Sequence, residues 1–147
     1  MSGSLVRATW AGKRRWETGR LNGPLALVDG DSVAAQSPVD ALLSALAACS
    51  GVDVVDILIK RRTPPSAVTI DVSADRRAEA PKRVTALRLE FRVDGEGIER
   101  VHAERAVTLA FEKYCSVASS LAPDIIITTS VVLNGEAGSE LRQTITG

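Results

Sequence analysis

Residues 37–62 read SPVDALLSALAACSGVDVVDILIKRR, and the fold turns on them. Ser37 can cap a helix and Pro38 suits its first turn. Asp40 stands three residues after Ser37, a capping-box spacing with Asp in place of Glu. Lys60-Arg61-Arg62 ends the stretch where cations complement the helix dipole, and Thr63-Pro64-Pro65 stops it. In between, apolar side chains fall on nearly every face: Leu42, Leu43, Leu46, Val52, Val54, Val55, Ile57, Leu58, Ile59. Such a helix needs cover on all sides. At 1.5 Å per residue it would be roughly 37 Å long. Its longest uncharged run, Ala41 to Val52, is too short to cross a bilayer, and Asp40, Asp53 and Asp56 interrupt the rest. No membrane span is expected. Near its middle sits Cys49, one of only two cysteines.

Upstream of this helix, Leu5 to Trp10 alternates, with Val6, Ala8 and Trp10 on one side, and reads as a half-buried strand. Ala11-Gly12-Lys13 is a turn and Arg14 to Thr18 a returning strand. Leu21-Asn22-Gly23-Pro24 breaks the chain before a short strand, Pro24 to Val28, closed by Asp29-Gly30-Asp31. Downstream, Val68, Ile70, Val72 and Ala74 alternate with polar residues, as do Leu87, Leu89, Phe91 and Val93; the two runs predict a long hairpin. Ile98 to Tyr114 has the apolar spacing of an amphipathic helix. Cys115 follows it, Ser116 to Leu121 could form a short second helix, and Asp124 to Leu133 is a strand rich in Ile, Thr and Val. Residues Glu136 to Gly147 are polar and read as a candidate flexible tail.

The order is three strands, a long helix, two strands, a helix and a strand. That is an α+β fold with a mostly antiparallel sheet and a long central helix. Its 147 residues suit one domain, 1–147, and 45% hydrophobic content is enough for a core, which must be aliphatic because aromatics make up only 3%. One sheet of this size cannot cover every face of the central helix, so a homodimer with a large apolar interface is expected. With 18 basic and 18 acidic residues the charge balances, and nothing points to nucleic acid. The start, MSGSLVRATW, lacks the apolar run of a signal peptide, so a cytoplasmic protein is expected, where a static disulfide is disfavoured.

Two cysteines and a single histidine, His102, are too few for a four-ligand zinc site, and Gly12-Lys13 lacks the upstream glycine of a phosphate loop. No cofactor is expected. His102 lies on a charge-rich helix, which disfavours a Cys/His hydrolase. Cys49 and Cys115 remain, each readable as a small buried hydrophobe or as half of a redox pair. Burial raises a thiol's pKa, and Asp53, one helical turn on, would raise that of Cys49 further. A reactive thiolate then needs a cation from elsewhere, and Arg14, Arg15 and Arg20 of the first hairpin are the candidates.

SPVDALLSALAACSGVDVVDIL, taken with ERAVTLAFEKYCSVASSL, resembles the OsmC/Ohr family of thiol-dependent hydroperoxide reductases. The resemblance runs from the Thr9-Trp10-x-Gly12 start to the strand near Val131 and carries two cysteine motifs in the family order. It implies an intertwined homodimer with the cysteine helices packed centrally and active sites at the subunit interface. It also implies Cys49 as the peroxidatic and Cys115 as the resolving cysteine, an organic hydroperoxide as substrate, and an external lipoyl-type dithiol as reductant. The family places an Arg beside the reactive thiol and a Glu that holds it. Arg15 is the first choice for that arginine, with Arg14 in reserve. The acidic position of the motif falls on Asp40, one methylene shorter than Glu. The function implied is a cysteine-based peroxidase in oxidative-stress defence. The alternative is a non-enzymatic dimer that senses redox state or binds a small apolar ligand.

Overall fold

The computed structural model describes residues 3–145. Contacts within the chain cluster into two compact units, 1–42 and 43–147.

The first unit is a three-stranded antiparallel meander, β1 (Val6–Trp10), β2 (Arg15–Arg20) and β3 (Ala26–Asp29), in the order β1-β2-β3. Trp10 pairs Trp16 across the first hairpin and Arg15 pairs Asp29 across the second. The first turn needs two left-handed residues, met by Gly12 at φ +89° and Lys13 at φ +50°. The three strands fall where the alternation and turn residues put them. Their burial does not: β1 is exposed along its whole length, with Trp10 63% accessible. Its apolar side chains have the pattern of a covered face, but within the first unit's described residues none is buried on β1.

Helix α1 (Pro38–Lys60) opens at the expected cap. The Asp40 N–H donates to Ser37 Oγ at 3.1 Å and the Ser37 N–H donates to Asp40 Oδ2 at 3.3 Å, so the box closes both ways. Among the described residues α1 is the one helix with the length and composition of a membrane span. Core helices share that composition, and Asp53 and Asp56 put carboxyl groups on it that a bilayer interior penalises.

In the second unit, α1 buries a single stripe at intervals of four: Leu46, Ser50, Val54 and Leu58. The buried Ser50 hydroxyl is satisfied by donating to Leu46 O at 2.8 Å. The sheet runs β4 (Ala67–Arg76), β5 (Val84–Asp94), β6 (Ile126–Leu133), β7 (Leu141–Gln143) in that spatial order. β4/β5 and β6/β7 are antiparallel and β5/β6 is parallel. A parallel pair cannot be closed by a tight turn. The crossover is supplied by α2 (Arg100–Leu109), a π-helical turn (Ala110–Tyr114) and α3 (Ser116–Ser119). Leu87, Leu89, Phe91 and Val93 of β5 and Ile127, Val131 of β6 build the core with Ala103, Ala106, Val107 and Phe111. Phe91 and Phe111 meet edge to face, ring centroids 6.5 Å apart.

The opposite sheet face is charged and paired. Arg92 bridges Asp71 and Glu90 at 2.8 Å each, and Arg88 meets Asp75 at 3.4 Å. Part of the stretch read as a candidate tail is β7. Gln143 is buried there, and its amide donates to Thr129 Oγ1 at 2.9 Å and Thr108 Oγ1 at 3.3 Å. A polar residue that finds buried partners is invisible to a hydropathy pattern. Residues 146–147 lie outside the described residues.

Candidate active site

The continuous helix expected over Ile98 to Tyr114 is α-helical only from Arg100 to Leu109. From Ala110 it widens to a π turn, closed by the Cys115 N–H donating to Ala110 O at 2.7 Å. A π turn accommodates one extra residue and shifts the register of the chain beyond it. Cys115 then leaves the helix with extended backbone, φ −73° and ψ 103°, and becomes the N-cap of α3. Its Sγ accepts the Ala118 N–H at 3.4 Å.

This bend brings the two cysteines together. Both are free thiols, and Cys115 has Cys49 as a close enough neighbour to bear on its proton. Cys115 is 4% accessible, whereas Cys49, on the flank of the buried α1 stripe, is half-buried. Burial pushes the Cys115 thiol up to about 11; the Ala118 N–H opposes this and the neighbouring Cys49 adds to it. Cys115 therefore stays a thiol at neutral pH. One thiol is on a half-buried residue and the other is buried beside it. That arrangement can cycle between dithiol and disulfide.

Asp53 lies one turn after Cys49 on the same flank of α1. Its Oδ2 is buried with no hydrogen-bond partner. Burial raises its carboxyl above the usual carboxylate range, and Asp56 raises it further. It lines a cavity of about 330 Å³ with Asp56, Ile57, Lys60, Arg61 and Tyr114, the residue before Cys115.

The remaining sequence candidates belong to the first unit. Arg15 Nε lies 3.4 Å from Asp29 Oδ2, and Arg14 Nε lies 2.8 Å from Asp31 Oδ1 at the exposed surface. Asp40 is exposed and bonded within the helix cap, so the carboxylate beside Arg15 is Asp29. Asp29 is buried, and its carboxylate accepts the N–H groups of Ala34 at 2.8 Å, Asp31 at 2.9 Å and Val33 at 3.2 Å. The Ala34 and Asp31 N–H groups, more than Arg15, lower its pKa to about 2. Sequence alone shows Asp29-Gly30-Asp31 as a turn. An aspartate closing a strand before a loop is also the signal of a side chain gathering backbone donors. His102 pairs with Glu99 at 3.2 Å on α2, a surface contact. Among the described residues no cluster of three His, Cys, Asp or Glu side chains is placed to hold a metal ion.

The α+β chain thus carries one free thiol on its long helix and a second beside it, at the N-cap of α3. The chain belongs to the OsmC-like protein family, whose profile matches residues 29–130. It is 40% identical to Protein YhfA of Escherichia coli K12 over 110 residues, 74% of this chain and 82% of that protein. The fold is shared with an OsmC-like protein from Mycoplasma pneumoniae at TM-score 0.78 and 14% identity, over 90% of this chain and 97% of that one. It is shared also with an organic hydroperoxide resistance protein, OsmC, from Legionella pneumophila, at TM-score 0.62 and 17% identity over 89% and 97% of the two chains.

Proposed function

We propose that this protein is a cytoplasmic, homodimeric, cysteine-based peroxidase that reduces organic hydroperoxides. The observation that carries the proposal is the pair of neighbouring free thiols, one half-buried and one buried. Family membership supports the substrate class. In the proposed cycle the Cys49 thiolate attacks the distal oxygen of ROOH, the O–O bond breaks, and Cys49 becomes a sulfenic acid while RO⁻ takes a proton. The Cys115 sulfur then displaces the sulfenic oxygen as water and forms the disulfide. An external lipoyl-type dithiol reduces it by exchange. Arg15, paired with Asp29, is the proposed cation for the Cys49 thiolate, and Asp40 caps the cysteine helix. The two units act as one domain, completed by a second copy that covers the exposed apolar residues of β1 and α1.

The test is consumption of cumene hydroperoxide with dihydrolipoamide as reductant. Turnover is expected in the wild type and absent in Cys49→Ser; equal turnover in both ends the proposal. A second reading, a non-enzymatic redox sensor or apolar-ligand binder, is favoured by one observation. The motif position of the family's Glu holds the shorter Asp40, which here bonds to Ser37 in the helix cap. For that reading, iodoacetamide should alkylate Cys49 equally slowly in wild type and Arg15→Ala.

A further inference from the structure

We propose that Asp53 is the proton donor to the oxygen that departs when a hydroperoxide is reduced at Cys49. This rests on the peroxidase reading and adds a group that the cycle above lacks. Cys49 and Asp53 are four residues apart on α1, so their side chains leave the same face about 6 Å apart at Cβ. Asp53 Oδ2 is out of water and without a donor, although it borders an open cavity that reaches Tyr114, the residue before Cys115.

An unpaired, buried carboxylate oxygen is costly, and a proton on it removes that cost. The other charged groups on the cavity are Asp56, which favours the proton on Asp53, and Lys60 and Arg61, which oppose it. A neutral Asp53 leaves the neighbouring thiolate undisturbed, whereas an ionised one would work against it.

The chemistry needs such a proton, because an alkoxide is a poor leaving group. As the Cys49 sulfur bonds to the distal oxygen and the O–O bond breaks, Asp53–COOH gives its proton to RO⁻. The products are ROH, Cys49–SOH and Asp53–COO⁻. The Cys115 thiol then attacks Cys49–SOH, and its proton leaves with the displaced hydroxyl as water. The disulfide forms, and Asp53–COO⁻ takes back from solvent the proton that Cys49 released on ionising. Two thiols and ROOH have become a disulfide, ROH and water.

The experiment is single-turnover oxidation of the reduced full-length protein by tert-butyl hydroperoxide and by peroxybenzoic acid. The first expels a basic alkoxide. The second expels benzoate, which needs no proton. Asp53→Asn is expected to slow the first on the order of 100-fold, within the usual range for general acid catalysis, and to leave the second within a few-fold. Asp53→Glu, which still has a proton to give, should recover much of the alkyl rate. Equal slowing of both oxidants in Asp53→Asn, or of neither, overturns the proposal. Wild type reducing neither oxidant removes the peroxidase reading itself. The wild type supplies a second check that needs no folded variant. Across hydroperoxides of increasing alkoxide basicity its rate should stay nearly flat, and a steep fall would show the oxygen leaving as an anion.

Discussion

Cys115 is held as a thiol by burial, and Cys49 and the Ala118 N–H meet its sulfur. In Cys49→Ser, where burial still raises the Cys115 thiol, iodoacetamide should modify Cys115 slowly at pH 9.0, the ordinary value for a thiol, and faster only above it. In Cys115→Ser, Cys49 should be oxidised once by cumene hydroperoxide and stall as a sulfenic acid that dimedone traps. Asp29 is the other residue with a defined electrostatic role. Its folded pKa, about 2, lies below the ordinary 3.8, so it contributes stability above 3.8 that is lost as pH falls through 2. The thermal midpoint of Asp29→Asn should lie below that of wild type at neutral pH. That gap should narrow between pH 3.8 and 2 as the wild-type carboxylate is protonated.

The element that matters most to the site is the π turn. Without it, α2 would run on into α3 and carry Cys115 round the helix by about 100° per residue of register. Deleting the exposed Lys113 should restore α-helical register. The expected result is a folded protein, by far-UV circular dichroism, in which diamide no longer couples Cys49 to Cys115. Phe111 anchors the same turn against Phe91. Phe111→Ala should cost about 3–5 kcal/mol in urea unfolding. Cys115 would then lose its fixed place before the fold is lost.

At the scale of the whole molecule the issue is cover. On α1, Leu42, Val52 and Ile59 are 41%, 60% and 52% accessible, although the helix is apolar on nearly every face. Trp10, Trp16 and Val33 are also exposed. Sedimentation equilibrium should show a dimer. Val52→Lys should weaken association about 100-fold or more, because each dimer loses two buried valines at roughly 1.5–3 kcal/mol apiece. A monomeric wild type at micromolar concentration would remove the homodimer from the proposed function.

The one-dimensional pattern of the chain determined the elements themselves. Alternation set β1, β4 and β5, turn residues bounded β2 and β3, composition marked β6, the Ser37/Asp40 box started α1 where the structure starts it, and the order of elements defined the α+β class. These are local preferences, set by residues within a turn or a strand of each other. The pattern also singled out both cysteines, through motifs that resemble a family to which the chain belongs. Only the tertiary structure decided that Cys115 lies beside Cys49, that Asp29 meets Arg15, that Asp53 has a bare oxygen, and that Gln143 is a core residue. Each of these depends on which distant groups a π turn, a strand register or a buried face brings together or leaves apart. No periodicity records a meeting between residues that lie tens of positions apart.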